Sequence, residues 1–310
     1  MILTVTLNTA LDLTYAVPAL VPHSSHRVNE VTERPGGKGV NVARVLSALG
    51  HDTVVTGFAG GSTGTVLREL LGALPQGPTD ALVTVAGNTR RTLAVVDRSS
   101  GDTTQLNEPG PHIGAGEWAA FLGTFRDLLP RAVAVALCGS LPPGVHVGAY
   151  AELVRLARSA EVPVLLDTGG EPLRRGIAAR PDLVKPNAEE LAQLTGAREP
   201  LRATRDARRR GAHSVVTSLG PDGLLAVTPD GIWRAAPPAA VRGNPTGAGD
   251  SAVAGLLSAL AEGLGWQDRL ARAVALSTAT VLAPAAGEFD REAYEDLLPR
   301  VAVEQHTPAA

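Results

Sequence analysis

The chain has 310 residues, 44% of them hydrophobic, and its 28 lysines and arginines against 31 aspartates and glutamates give a net charge of −3. This length suits one large α/β domain or two modest ones, and the near balance of charge gives no electrostatic reason to expect a nucleic-acid partner. The single cysteine, Cys138, excludes an internal disulfide framework and favours a reducing, cytoplasmic compartment. The N-terminal apolar run predicts a strand rather than a secretion signal, and no run of about 18 apolar residues predicts a membrane span.

Short apolar runs that predict strands alternate with longer stretches whose apolar residues recur at helical spacing. The first such helix, GVNVARVLSALG, has Val42, Val45, Leu46 and Leu49 at that spacing and ends at Gly50. This alternation predicts a mostly parallel sheet covered by helices. The strands of that sheet are predicted at ILTVTL, DTVVTGF, AVAVAL, VPVLLD, PDLVKP and HSVVTS.

Two regions interrupt the alternation. The segment HRVNEVTE and the block from residue 81 to 107, which contains LVTVAG, RTLAVVD and DTTQLN, predict strands with no helix between them. We expect them to form a small sheet beside the main one, acting as a lid or as a dimer surface. The predicted organisation is a single domain over residues 1–310, with the small sheet built from about 12–35 and 81–108.

Glycine, proline and polar residues follow each predicted strand of the main sheet. These clusters are NTALD, GFAGGSTG, CGSLPPG, TGGE, KPNAEE and LGPDG. In a parallel sheet all strands end at one edge, and ligands of open α/β sheets bind in the crevice outside that edge. Each cluster alone could be an ordinary turn, but together they predict one binding cleft.

The segment NPTGAGDSAVAGL (residues 244–256) starts a helix with a glycine-lined turn. Backbone N–H groups around Gly247, Ala248 and Gly249 can approach a ligand, and a helix N-terminus favours negative charge, so the turn can cradle a phosphate. The next residue, Asp250, is either a first-turn acid that caps the helix or a base that takes a proton from an attacking hydroxyl. The helix N-terminus predicts a low pKa for Asp250.

A second glycine-rich helix start is PGGKGVNVAR (residues 35–44). It lacks the G-x-x-x-x-G-K-[ST] spacing of a Walker P-loop, which occurs nowhere in the chain. Lys38 beside such a helix start is either a phosphate partner or a solvent-facing loop lysine.

The segments GGKGVNVAR and NPTGAGDSAVAG resemble the two signatures of the ribokinase-like (PfkB) sugar kinases. NTALD, CGSLPPG, LVKPNAEEL and SLGPDG narrow the resemblance to the branch with 1-phosphofructokinase, tagatose-6-phosphate kinase and the minor 6-phosphofructokinase. The resemblance runs over nearly the whole chain in the expected order. It implies a ribokinase-like three-layer α/β/α sandwich with a small β lid, phosphoryl transfer from ATP with Mg²⁺, and a homodimer formed through the lid.

The resemblance also implies roles for individual residues. Asp250 is the catalytic base, and the backbone of Gly247, Ala248 and Gly249 is the anion hole. Sugar hydroxyls are held by Asp12, Asn41, Gly36 and Gly37, the phosphate on the sugar by Lys38 and Arg90, with Ser140 near the sugar. Asn187 and Glu190 organise Mg²⁺ through water, and the nucleotide site is lined by Lys185, Asn187, Ser218, Gly220 and Gly223.

Two departures from the family pattern bear on the substrate. The wider family often has D-T-x-G-A-G-D, whereas Asn244 and Pro245 stand here, a form that resembles some tagatose-6-phosphate kinases. In the minor 6-phosphofructokinase type a lysine upstream of the glycine cluster binds phosphate, but the corresponding PHSSHRV has no lysine and Lys38 lies inside the cluster. We therefore predict an ATP-dependent kinase that converts fructose 1-phosphate to fructose 1,6-bisphosphate. The alternatives are a tagatose-6-phosphate kinase or another sugar or sugar-phosphate kinase of the same family.

Two other functional classes stay open at this stage. The segment VVTGFAGGSTG is a strand, a glycine turn and a helix, as in an NAD-dependent oxidoreductase, but it lacks G-x-G-x-x-G. A non-catalytic sugar-phosphate sensor on a kinase scaffold is the second, because a fold does not fix a function. Asp250 behind an intact G-A-G favours catalysis over sensing.

Overall fold

The computed structural model describes residues 1–283 and 285–306, and within them strands and helices alternate as the sequence predicts. In chain order the strands are β1 (Ile2–Thr6), β2 (Ala10–Val17), β3 (Glu30–Gly36), β4 (Thr53–Gly60), β5 (Thr79–Val85), β6 (Arg90–Asp97), β7 (Thr103–Asn107), β8 (Ala134–Cys138), β9 (Val164–Asp167), β10 (Leu183–Val184), β11 (Ser214–Ser218), β12 (Leu224–Thr228), β13 (Gly231–Ala236) and β14 (Ala302–His306). The helices are α1 (Lys38–Ala48), α2 (Gly61–Gly72), α3 (Ala115–Leu128), α4 (Ala149–Ser159), α5 (Gly170–Ala178), α6 (Ala188–Thr195), α7 (Pro200–Arg209), α8 (Ala248–Ala261), α9 (Trp266–Val281) and α10 (Arg291–Leu297).

The described residues place ten strands in one large sheet, in the order β14-β13-β12-β11-β10-β9-β8-β1-β4-β5. The strands from β11 to β5 in that order run parallel, and β12, β13 and β14 extend the sheet beyond β11 as antiparallel strands. β1 lies between β4 and β8 with both of its faces buried, which explains why its sequence is an unbroken apolar and threonine run. The predicted mostly parallel sheet is confirmed.

Two apolar clusters cover the two faces of the large sheet. Leu3 and Val5 of β1 belong to the cluster with buried residues of α3 to α7, and Ile2 belongs to the cluster with α1, α8, α9 and α10. Because aromatic residues are only 3% of the chain, both clusters consist mainly of alanine, valine and leucine. The predicted three-layer α/β/α sandwich is therefore confirmed.

A separate four-stranded sheet has the order β3-β2-β6-β7. β5 is not part of it: residues 79–85 pair in parallel with β4 at the edge of the large sheet, so the expectation that the small sheet includes 81–85 is wrong. The error arose because the chain passes from β5 to β6 without a helix, and the sequence pattern therefore did not mark the change of sheet.

The carboxyl ends of the parallel strands bring the predicted polar clusters to one edge. The small sheet lies beside this edge, where Asp12 and Arg34 line a small cavity together with Asn244 and Thr246 of the loop before α8. No helix in the described part of the chain combines the length and apolar character needed to cross a bilayer.

Candidate active site

Helix α8 begins at a glycine that no other residue could replace without strain. Gly247, its N-cap, has φ of +84°, and an added Cβ would lie 2.7 Å from Ala286. The amide of Ala248 donates to the carbonyl oxygen of Pro245 at 3.1 Å. Of the three amides predicted to cradle an anion, that of Ala248 therefore already has a partner in this structure.

Asp250 lies in the first turn of α8, and only 7% of it is exposed. Its Oδ2 accepts a hydrogen bond from Nδ2 of Asn41, on α1, at 2.9 Å. Burial raises the pKa of Asp250 to about 6, against a lowering influence from Lys38. The low pKa expected from the helix N-terminus is wrong, because the loss of hydration outweighs the helix dipole. A carboxylate with this pKa is a stronger base than the sequence predicts.

We expect kcat/KM to fall on the acid side of its pH profile, and this acid limb should have its midpoint near pH 6. Burial also raises the pKa of Asp12 to about 6, against a lowering influence from Arg90. A base acts in its deprotonated form, so kcat/KM should drop about tenfold per pH unit below this limb if one carboxylate controls it, and up to about a hundredfold if both do. In Asp12→Asn the limb should persist, with a slope of at most one. A flat profile down to pH 5 would contradict the buried environment of Asp250.

A buried carboxylate that the sequence analysis missed lies at the centre of the cleft. Asp167, the last residue of β9, is 1% exposed; its Oδ2 lies 3.2 Å from Nζ of Lys38, and its Oδ1 lies 3.3 Å from Nζ of Lys185. Burial alone would raise the pKa of Asp167, but Lys185 and Lys38 hold it below the ordinary value. The available signal was the acid that ends the apolar run VPVLLD, one residue before the cluster TGGE.

The predicted sugar-binding residues Asp12, Gly36 and Gly37 lie together. Asp12 on β2 faces β3 so closely that a Cβ on Gly36 would collide with its carboxylate. Gly37 has φ of +99° and begins α1, where a side chain would press on Thr6 and on the backbone of Thr9. Glycine at position 36 leaves the space that the Asp12 carboxylate occupies, and glycine at position 37 allows the chain to turn into α1.

Arg90 and Ser140 line a cavity of about 560 Å³ at the side of this cleft. Nε of Arg90 donates to the carbonyl oxygen of Asn8 at 3.3 Å, and Nη1 donates to that of Glu108 at 3.2 Å. Nδ2 of Asn8 donates to Oγ of Ser140 at 3.0 Å. Asn8 therefore contacts both Arg90, which the sequence analysis assigned to the phosphate on the sugar, and Ser140, which it placed near the sugar. Arg90 carries five N–H donors, so these two bonds leave donors for a ligand.

A second cavity, of about 600 Å³, is lined by Ala248 and Gly249 at the start of α8. The predicted nucleotide residues Asn187, Ser218, Gly220 and Gly223 all line it, whereas Lys185 lies deeper, where a Cβ on Gly249 would be 3.7 Å from its Nζ. Much of the remaining lining was not predicted, because it comes from the 240–243 loop and from a face of α9 whose helical pattern carries no local signal. These lining residues are Ala240, Val241, Arg242, Gly243, Val274, Ser277, Thr278 and Val281.

Asn187 and Glu190 bind each other at the start of α6. The amide of Glu190 donates to Oδ1 of Asn187, and the amide of Asn187 donates to Oε2 of Glu190, both at 2.8 Å. This capping box leaves Oε1 of Glu190 facing Gly169, 3.2 Å from where a Cβ would lie. Carboxylate oxygens suit Mg²⁺, which keeps much of its water. The free oxygen of Glu190 therefore fits a contact to such an ion through water. Within residues 1–283 and 285–306, no three His, Cys, Asp or Glu side chains are grouped to hold a metal.

A salt-bridge cluster joins the small sheet to the start of α8. Arg44 on α1 is buried and donates to the carbonyl oxygen of Ala286 and to Glu288, each at 3.0 Å, and Arg34 on β3 reaches the same Glu288 oxygen at 2.8 Å. The 285–288 loop that they hold packs on Gly247. Because Arg44 and Glu288 are 244 positions apart, no sequence pattern could have paired them.

Comparisons with known proteins show what the chain is similar to. The profile of the pfkB family carbohydrate kinases matches residues 4–292. The 1-phosphofructokinase of Rhodobacter capsulatus is 39% identical over 291 residues, covering 91% of this chain and 92% of that protein. A possible 1-phosphofructokinase from Thermotoga maritima is 29% identical with a TM-score of 0.90, covering 99% of this chain and all of that one. Phosphofructokinase-2 from Escherichia coli, in complex with fructose-6-phosphate, is also 29% identical, with a TM-score of 0.85 over 96% of this chain and 98% of that one.

Proposed function

The chain belongs to the pfkB family of carbohydrate kinases, and from this premise we propose that it phosphorylates fructose 1-phosphate with ATP, giving fructose 1,6-bisphosphate and ADP. The observation that carries the proposal is the position of Asp250. It is buried next to Gly249, which lines the 600 Å³ cavity, and it lies within electrostatic reach of Asp12, which neighbours Arg90 of the other cavity. Asp250 therefore lies between the residues assigned to the nucleotide and those assigned to the sugar phosphate.

The chemistry assigned to the site is an in-line displacement at the γ-phosphorus of ATP. Asp250 accepts the proton of the sugar's free primary hydroxyl while that oxygen bonds to phosphorus and the bond to the β,γ-bridging oxygen breaks, so that ADP leaves. The amides of Gly247 and Gly249, with Lys185 beside them, stabilise the negative charge spread over the transferred group. Asn41 keeps the carboxylate oriented through its hydrogen bond to Oδ2.

A magnesium ion accompanying ATP would be held through water by Glu190, with Asn187 fixing the orientation of that carboxylate. When bound, the ion neutralises charge on the β- and γ-phosphates. The apolar part of the 600 Å³ cavity suits a flat nucleobase, and Ser218, Gly220 and Gly223 leave room for the nucleotide to approach the backbone.

The phosphate already on the sugar is assigned to Lys38 and Arg90, and the sugar hydroxyls to Asp12, Asn41 and the backbone of Gly36 and Gly37, with Ser140 beside the sugar. Arg90 is the stronger candidate for a phosphate because its planar donors match phosphate oxygens in pairs.

Fructose 1-phosphate is preferred over tagatose 6-phosphate as the substrate. Asn244, which pointed to the tagatose type, uses its Oδ1 to accept the amide of Thr246 at 3.0 Å, forming a turn that an aspartate would form equally well. This residue therefore shapes the loop and gives no information about the sugar. The Rhodobacter capsulatus 1-phosphofructokinase, at 39% identity, supports fructose 1-phosphate.

The direct test is ³¹P NMR of the product formed from fructose 1-phosphate and Mg·ATP. We expect a new phosphomonoester signal from the C6 phosphate, appearing in step with ADP. Tagatose 6-phosphate incubated in parallel should react much more slowly. If only tagatose 6-phosphate reacts, the substrate assignment is wrong although the kinase assignment stands.

We further propose a homodimer formed through the small sheet. Val31 on β3 is 53% exposed and Leu106 on β7 is 59% exposed, so this sheet presents apolar side chains to solvent. Sedimentation or light scattering at micromolar concentration should give twice the 31.9 kDa chain mass, and Leu106→Asp should shift the protein toward monomer. A mass equal to that of one chain for the wild-type protein would contradict the proposed dimer.

A further inference from the structure

Asp167 holds two lysines that approach it from different parts of the chain. Lys38 is the first residue of α1, and Lys185 follows β10; both Nζ atoms lie within 3.3 Å of the same carboxylate, one on each oxygen. No step of the proposed reaction uses Asp167. A buried carboxylate with two cationic partners carries less charge than they do, so the group as a whole is positive at the centre of the cleft.

The two lysines face different ligands. Lys38 lies between the glycines of the β3–α1 turn and Gly139, which precedes Ser140; a Cβ on Gly139 would be 3.7 Å from Cβ of Lys38. Lys185 approaches Gly249, at the wall of the 600 Å³ cavity. One lysine therefore belongs to the sugar-phosphate side of the cleft and the other to the nucleotide side.

A lysine ammonium on a flexible four-carbon stem is a poorly directed point charge unless something holds it. The Lys38 side chain is 42% exposed, so burial alone does not fix it. Asp167 is rigid by comparison, because it ends a strand in the middle of the sheet and is almost fully buried. It is thus the member of the group that can determine where both ammonium groups sit.

We propose that Asp167 is a positioning residue for both substrates at once, placing Lys38 for the sugar phosphate and Lys185 for the nucleotide. This inference rests on the proposed kinase function. It gives a role to Asp167, which takes part in no step of the proposed reaction. The proposal predicts a change in ligand affinity opposite in sign to the one that simple electrostatics predicts. Removing a negative charge should by simple electrostatics tighten the binding of two anions, whereas removing the group that positions their lysines should weaken it.

The test is Asp167→Asn, with the dissociation constants of a non-hydrolysable ATP analogue and of fructose 1-phosphate measured separately by calorimetry. We expect both to weaken by about tenfold or more. Lys38→Met should weaken mainly the sugar phosphate and Lys185→Met mainly the nucleotide. Tighter or unchanged binding of either ligand to Asp167→Asn would overturn the proposal.

Asp182→Asn is the matched control. Its Oδ2 accepts the amide of Val164 at 2.8 Å, at the opposite end of β9 from Asp167, so it is a structural carboxylate of the same strand region. It should leave both dissociation constants within about twofold of wild type, even if its Tm falls. If Asp167→Asn does not fold, Asp167→Ser, which is uncharged and shorter, replaces it with the same expectations.

A pH profile gives a second readout of where Lys38 lies. Asp250 is faced by Lys38, Asp167, Lys185, Asn41 and Asp12; the charge of Lys38 lowers its pKa and that of Asp167 raises it. If Lys38 kept its place in Asp167→Asn, the acid limb of kcat/KM would move below its wild-type position. Because we expect Lys38 to be displaced and its lowering influence to be lost as well, the limb should stay at or above the wild-type position, and it should not move in Asp182→Asn. A clear downward shift in Asp167→Asn would overturn the positioning of Lys38. If the wild type fails to phosphorylate fructose 1-phosphate, the proposed function fails, but the nucleotide affinities still decide whether Asp167 places Lys185.

Discussion

Replacing Asp250 by asparagine is expected to lower kcat by about 10²- to 10⁴-fold, the range that loss of a general base produces. Asparagine has almost the same shape and can still meet Asn41, so the fold of the helix start should persist. The KM for ATP should stay within about twofold, because the backbone amides and Lys185 are untouched. Steady-state kinetics with fructose 1-phosphate, together with nucleotide binding, measure both quantities.

Asp268→Asn is the control for this variant. Asp268 is also an acid in the first turn of a helix, α9, and lies outside the two cavities. If Asp250 served only to stabilise its helix, the two variants would behave alike, with near-normal kcat. That outcome would remove Asp250 from its catalytic role.

Stability gives an independent check on the same carboxylate. Because its pKa is raised from 3.8 to about 6 in the folded protein, the ionised form is disfavoured there. Asp250 therefore supports stability below about pH 4, and that support is lost as the pH rises through about 6. Asp250→Asn should lack this loss, so its free energy of unfolding at pH 7 should equal or exceed that of the wild type.

Arg90→Ala is expected to raise the KM for fructose 1-phosphate by about 10- to 100-fold, since hydrogen bonds to a charged group contribute about 1.5–3 kcal/mol. The KM for plain fructose should change far less, because fructose has no phosphate to lose contact with. Lys38→Ala should show the same selective effect. Equal effects on the two sugars would mean that neither residue recognises the phosphate.

Arg91→Ala is the matched control for Arg90. Arg91 is the next residue along β6, but it points to Glu108 at the surface and does not line the 560 Å³ cavity. We expect its variant to leave both KM values near those of the wild type. A comparable rise in the KM for fructose 1-phosphate would indicate that general positive charge at this edge matters more than the position of Arg90.

The sequence predicted the cleft well, because a parallel sheet has only one edge at which its strands all end. The clusters after β1, β8, β10 and β11 lie there for that reason, and Asp250, Asn41 and Asp12 lie together. Strand order does not reveal which ligands these residues bind. Their roles come only from what the family resemblance implies.

Three features could not be predicted from the sequence, for physical reasons. The pKa of Asp250 depends on how much hydration it loses, which is a tertiary property. Asp167 was hidden inside a strand pattern, where a terminal acid is commonly a turn residue. The pairing of Arg44 with Glu288, and the place of β5 in the large sheet, depend on long-range contacts that neither periodicity nor local turns encode.

The most direct test of the account is the ratio of kcat/KM for fructose 1-phosphate to that for fructose, measured by ADP release with Mg·ATP, with tagatose 6-phosphate, fructose 6-phosphate and ribose alongside. We predict that fructose 1-phosphate exceeds every other sugar by about a hundredfold or more, roughly 2.7 kcal/mol of transition-state discrimination. Plain fructose or ribose matching it would contradict the assignment of Lys38 and Arg90 as phosphate-binding residues and, with it, the proposed reaction.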